Sequence, residues 1–117
     1  VDGLQAVNDR FGHAHGDEAL RTVADVIRAS IRESDVVGRV AGDEFVILVE
    51  DWPDVTAELV QRLRRRMQRA ESAGSRPSTP SLSIGVTDWE PGDPVTLQEL
   101  IERAAQHMYD DKRSRLR

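Results

Sequence analysis

The sequence contains no cysteine, which removes both a disulfide framework and a thiolate metal site. It has no apolar run approaching the ~20 residues that a membrane-spanning helix requires. No stretch shows the basic, apolar and small-residue order of a secretory leader. The excess positive charge of a general nucleic-acid binder is also missing: formal net charge is −5 and the pI is about 5.2. A local cluster of arginine or lysine would still suffice to hold one nucleotide. The expectation is a soluble cytoplasmic domain that binds no nucleic acid and meets a membrane only through a parent chain. The 117 residues, 38% of them hydrophobic, suit one compact domain with a modest core.

Helical spacing of Leu20, Val23, Ala24, Ile27 and Ile31 predicts a helix over Asp17 to Ile31. A second runs from about Val55 to Ala70, with Leu59, Leu63 and Met67 on one face. A third starts at Thr96, where Thr96 and Glu99 have capping-box spacing ahead of Leu97, Leu100, Ile101, Ala104 and Met108. A short helix over Leu4 to Asp9 precedes them. Val36 to Val40 and Phe45 to Glu50 read as strands, and Gly42 between them makes the pair a hairpin. Alternation of Leu82, Ile84 and Val86 with Ser81, Ser83 and Gly85 predicts a half-buried strand. Ala73 to Pro80 and Asp88 to Pro94 read as loops. The expected fold is α+β, with helices flanking a mainly antiparallel central sheet. Three strands under four helices make a thin sheet, so residues 1–117 read as a single domain truncated at both ends, with a further strand expected before Val1 and another after Arg117.

Two segments concentrate turn, acid and amide residues: Asp2 to Asp17, and Arg39-Val40-Ala41-Gly42-Asp43-Glu44-Phe45. Adjacent acids beside a glycine that lets backbone approach a ligand suit metal-bound phosphate, because Mg²⁺ prefers hard oxygen donors. A solvated acidic turn accounts for the second segment alone equally well.

Together the segments resemble the GGDEF family of diguanylate cyclases. The family pattern D-x-D-x-F-K-x-x-N-D-x-x-G-H-x-x-G-D is met in register by Asp2, Asn8, Asp9, Gly12, His13, Gly16 and Asp17. The hairpin follows at the family's spacing with Ala41-Gly42-Asp43-Glu44-Phe45 as signature. Leu82-Ser83-Ile84-Gly85-Val86 resembles the family's S-I-G-V strand, and Arg103-Ala104-Ala105, Met108-Tyr109 and Lys112 resemble its last helix. Four separated blocks cover almost the whole chain.

The resemblance implies a palm like that of nucleotidyl cyclases, condensing two GTP into cyclic di-GMP with release of two pyrophosphates. Asn8 and Asp17 would hold guanine, which offers a carboxylate the N1–H and N2–H₂ donors that adenine lacks. The alternative for Asp17 is an acid complementing a helix N-terminus. His13 would lie beside the substrate, or else structure the turn. A transition-metal site from His13, His15 and Asp17 is a further reading, though H-x-H spacing is common in chains that bind no metal. Asp43 would bind Mg²⁺ (or Mn²⁺) and help deprotonate the ribose 3′-hydroxyl, with Glu44 supporting it. Val1 matches the family's metal-binding carbonyl, and the family's metal-binding aspartate would stand just before Val1. Gly42 and Lys112 would contact substrate. One domain binds one GTP, so catalysis implies a homodimer.

Arg32-Glu33-Ser34-Asp35 fits the family's R-x-x-D inhibitory motif by its distance from Ala41, with Arg62 as a further candidate; its alternative is an exposed pair at a helix end. The five arginines from Arg62 to Arg69 read either as a solvated helix face or as a contact for the anionic dinucleotide. Departures from the family are Ala41 for glycine, Gln5 for a phosphate-binding lysine, Arg115-Leu116 for Gly-Arg, Leu4 for phenylalanine and Ala105 for aspartate. If Ala41 has positive φ it costs on the order of 1 kcal/mol. These departures keep a second reading open, a catalytically silent domain that binds GTP or cyclic di-GMP as a regulator.

Overall fold

The computed structural model describes residues 1–49, 54–73 and 81–115. Two units contain them, Val1–Leu82 and Ser83–Arg117.

In the first unit a single glycine separates two helices. Gly12 has φ 92°, a region that side chains disfavour, and it closes α1 (Leu4–Phe11) and opens α2 (His13–Ser30). Its N–H donates to the Asn8 carbonyl at 2.9 Å, and its own carbonyl accepts from His15 N at 3.1 Å. The corner folds α1 onto α2. The second helix thus begins at His13, earlier than the expected Asp17, because the glycine corner sets its start before any apolar residue appears.

The hairpin follows: β1 (Val36–Ala41) pairs antiparallel with β2 (Glu44–Leu48). Val36 faces Leu48 and Arg39 faces Phe45, and the register shifts between Arg39 and Ala41 so that Ala41 meets Glu44. That irregularity bends the strand just before the turn. Glu50, the expected end of the second strand, lies outside the described residues. The third helix, α3 (Val55–Ala73), takes in Ala73, which the sequence assigned to a loop; the rest of that loop lies outside the described residues.

The core lies between α2 and α3. Ala19, Val23, Val26 and Ile27 are buried on α2, and Leu59, Leu63 and Met67 on α3. Each larger side chain contributes about 1.5–3 kcal/mol by leaving water. Buried Ser30 is satisfied by donating to the Val26 carbonyl at 2.6 Å. Leu20 and Ala24, expected in the core, are only half-buried and instead border a groove between α2 and the hairpin.

In the second unit α4 (Leu97–Arg115) starts at a capped end, with Glu99 N donating to Thr96 Oγ1 at 3.1 Å. The segment before it, 81–90, has no regular secondary structure, so the expected strand at Leu82–Val86 is not formed among the described residues. A strand needs a backbone partner, and here the polar groups go elsewhere. Ile84 N donates to the Asp111 carboxylate at 2.9 Å, and the Val86 carbonyl lies 2.5 Å from His107 Nδ1. Gly85 permits this approach: a Cβ there would sit 1.9 Å from the Ala104 carbonyl oxygen. Among the described residues the architecture is four helices with a two-stranded antiparallel sheet, an α+β fold. No helix among them is long and apolar enough to cross a membrane.

Candidate functional site

The acidic turn is held by its own strand. Arg39 donates from Nη2 to the Gly42 carbonyl at 2.7 Å and from Nε to the same oxygen at 3.2 Å, with a longer contact to the Ala41 carbonyl at 3.4 Å. A guanidinium fork on consecutive carbonyls fixes the backbone that carries Asp43 and Glu44. Asp43 is exposed and Glu44 half-buried. Ala41 does not have positive φ, so the replacement of glycine there brings no backbone strain. A Cβ at Gly42 would meet nothing within 4 Å, so that glycine faces open space. The backbone nitrogen of Val1 donates to the Asp43 carbonyl at 2.7 Å, which brings the Val1 backbone beside the turn. Asp43 and Glu44 carry carboxylate oxygens, the hard donors that Mg²⁺ or Mn²⁺ accepts alongside substrate phosphates, and among the described residues no third acid or histidine joins them.

The α1–α2 corner supplies the second group. Asn8 is half-buried on α1, and its Oδ1 is buried without a hydrogen-bond partner. His13 is exposed at the start of α2, and Asp17 is exposed one turn later. The first turn of α2 carries no acid, and Asp17 stands just beyond it, where the helix dipole acts less strongly. Among the described residues no group of three or more histidine, aspartate or glutamate side chains is placed to hold a metal, which sets aside the His13, His15 and Asp17 reading. His15 instead packs against Phe11, with ring centroids 5.6 Å apart. Gln5, at the position of the family's lysine, donates to Asp9 Oδ1 at 3.1 Å.

A groove of about 420 Å³ runs between α2 and the hairpin. Asp17 lines it, with Arg21 and Arg28 along α2 and Arg39 on β1 opposite; Leu20 and Phe45 are among its apolar walls. Sequence reading missed these arginines as groove residues. The signal was available for α2, because Asp17, Arg21 and Arg28 share one helical face with Leu20 and Ala24.

The Arg32–Asp35 motif forms a turn closed on itself. Asp35 accepts from Arg32 N at 2.8 Å and from Arg32 Nη2 at 3.2 Å, while Asp35 N donates to the Arg32 carbonyl at 3.0 Å. Within the pair the Asp35 side chain is 3% exposed and that of Arg32 40%. Burial alone would raise its pKa, but the hydrogen bonds from Arg32 and the charges of Arg32 and Arg62 outweigh it and hold Asp35 below the ordinary 3.8. The run of arginines on α3 is not a uniformly solvated face: Arg62, Arg64 and Arg66 are half-buried, and Arg64 donates to the Leu82 carbonyl at 3.2 Å. Lys112 is exposed on α4 in the second unit. Leu116 lies outside the described residues.

Residues 1–116 match the family model described as "Diguanylate cyclase, GGDEF domain". The chain is 40% identical over 113 residues to the bifunctional diguanylate cyclase/cyclic di-GMP phosphodiesterase MucR of Pseudomonas aeruginosa, covering 96% of this chain and 16% of that protein. It is 31% identical over 119 residues to the diguanylate cyclase DgcP of the same organism, covering 97% of this chain and 17% of that one. Thus the chain spans less than a fifth of the length of these relatives. Among solved structures it is similar to the GGDEF domain of YfiN from P. aeruginosa, with TM-score 0.78 and 35% identity over 97% of this chain and 71% of that one. It is likewise similar to the diguanylate cyclase SiaD, solved in complex with its activator SiaC from the same organism, with TM-score 0.79 and 31% identity over 97% of this chain and 44% of that one. By sequence and by fold, this chain belongs to the GGDEF family of diguanylate cyclase domains.

Proposed function

We propose that the chain is the catalytic domain of a diguanylate cyclase, condensing two GTP into cyclic di-GMP and two pyrophosphates. The observation that carries this is the groove between α2 and the hairpin: Asp17 shares it with Arg39, the residue that grips the acidic turn. The turn residues themselves do not line the groove; Arg39, which does, is the link that supports reading Asp17 and the acidic turn as one site within the first unit.

In this reading Asn8 and Asp17 select guanine, with the carboxylate accepting from N1–H and N2–H₂. His13 borders the nucleotide, and Gly42 lets the backbone come close to the phosphates. Asp43, Glu44 and the Val1 carbonyl would hold Mg²⁺ or Mn²⁺, which when bound acidifies the ribose 3′-hydroxyl and offsets charge on the phosphoryl group. Asp43 assists removal of the 3′-hydroxyl proton; the 3′-oxygen forms a bond to the α-phosphorus of a second GTP and the bond to pyrophosphate breaks. Each domain holds one GTP, so two copies face each other about a two-fold axis during reaction. Arg32, Asp35 and Arg62 form the product-inhibition site, where the fork of Arg32 and the carboxylate of Asp35 meet a guanine edge of cyclic di-GMP.

Gln5 supports the second reading, a regulatory domain that binds nucleotide without turnover: it brings no cation, and its amide is engaged by Asp9. Incubation with GTP and Mg²⁺, followed by chromatography of the nucleotides, separates the two. The cyclase reading predicts cyclic di-GMP from GTP, none from ATP, and at least about a hundredfold less from Asp43→Asn. Absence of product even with Arg32→Ala, which relieves inhibition, would overturn it in favour of the regulator.

A further inference from the structure

We propose that Gly16 is a specificity-determining positioning residue: its missing side chain leaves the volume in which the Asn8 carboxamide is seated. The proposal rests on the reading of Asn8 and Asp17 as guanine contacts. A Cβ at position 16 would lie 1.7 Å from Asn8 Oδ1, 2.7 Å from its Cγ and 3.2 Å from its Nδ2. The first two distances are well inside contact, so the side chain of Asn8 occupies the place where that of residue 16 would be.

Nothing in the backbone of Gly16 calls for glycine. It lies inside α2 and does not have positive φ, and glycine is among the poorest helix formers. Gly12 nearby does have positive φ, so the two glycines of the corner serve different ends. Gly16 is buried, and the oxygen it receives is buried without a hydrogen-bond partner. A side-chain oxygen sealed in this way leaves the Asn8 amide nitrogen as the group that can donate. Asp17, next in the chain after Gly16, supplies an acceptor. A donor beside an acceptor matches the guanine edge, where O6 accepts and N1–H and N2–H₂ donate; the adenine edge has the opposite polarity. Gly16 therefore ties a donor on α1 to an acceptor on α2 at a fixed separation. Asn8 and Asp17 belong to different helices, and the Asn8 carboxamide meets α2 on Gly16, the residue directly before Asp17.

The test is a double-mutant cycle on the protein, read by GTP and ATP affinity and by thermal unfolding. Gly16→Ala should weaken GTP about tenfold, the scale of one lost hydrogen bond, with ATP little changed. Asn8→Ala should do the same. The double variant Asn8→Ala/Gly16→Ala should show no further loss, and its unfolding midpoint should recover what Gly16→Ala loses, because the clashing carboxamide is gone. Wild-type GTP affinity in Gly16→Ala would overturn the proposal, as would fully additive losses in the double variant or a double variant that fails to fold. If the unsubstituted protein binds neither nucleotide, the guanine reading itself falls and the specificity role with it. Binding by the unsubstituted protein with an unaffected Gly16→Ala overturns this inference alone.

Discussion

Arg39 Nη2 lies 2.7 Å from the Gly42 carbonyl oxygen, so the arginine of β1 holds the turn that presents Asp43 and Glu44. The contact is exposed, and a fork to backbone carbonyls in water adds only about 1 kcal/mol to stability. Its expected effect is on geometry. Arg39→Ala and Arg39→Lys should each lower cyclase turnover by about tenfold or more while moving the unfolding free energy by about 1 kcal/mol or less, since lysine lacks the planar fork. Parallel assays of turnover and urea unfolding check this.

Gly85 faces backbone on α4, with the Ala104 carbonyl and the Met108 nitrogen 1.9 and 2.3 Å from where a Cβ would stand. Neither atom is the end of a flexible side chain. Gly85→Ala should therefore destabilise by about 1–3 kcal/mol, the usual cost of forcing atoms into a filled space. Gly38→Ala is the control, because a Cβ there meets nothing within 4 Å. Denaturant midpoints for the two variants should differ clearly.

The expected helices, the hairpin and the capped start of α4 follow from local signals, and all of them formed. Leu59, Leu63 and Met67 recur at helical spacing and are buried. Thr96 accepts from Glu99 N as its spacing implied, and Thr96→Ala should cost about 1 kcal/mol in thermal or denaturant unfolding. What did not transfer depended on distant partners. Leu82 to Val86 alternate in sequence, yet the polar groups of Ile84 and Val86 go to side chains of α4. The candidate site divides in the same way. Family spacing named Asn8, Gly16 and Asp17, but it could not say that Asn8 rests on Gly16 across a helix corner. Arg39 stands in the acidic segment itself and Arg21 and Arg28 on the helical face of Asp17, but that they line one groove follows only from the packing of α2 on the hairpin.

The Arg32–Asp35 turn makes a pH prediction. The Asp35 pKa in the folded protein lies below the ordinary 3.8, so the folded state binds fewer protons than the unfolded state in that range. Its stabilising contribution is present above that value and is lost as pH falls through the folded-state pKa. Asp35→Asn should flatten the acid side of the stability curve below about pH 4, as read by urea midpoints across pH. In the cyclase assay the same variant should lose product inhibition at neutral pH.

If two copies of this domain, each carrying one GTP, condense them at the Asp43–Glu44 turn, the reaction depends on encounter between copies. The most direct measurement is the initial rate of cyclic di-GMP formation at saturating GTP and Mg²⁺ across a range of protein concentrations, with Asp43→Asn alongside. The rate should rise more steeply than the first power of concentration until dimers saturate, with essentially no product from the variant. Cyclic di-GMP at an equal rate from Asp43→Asn, or none from the unsubstituted protein at any concentration, would contradict it.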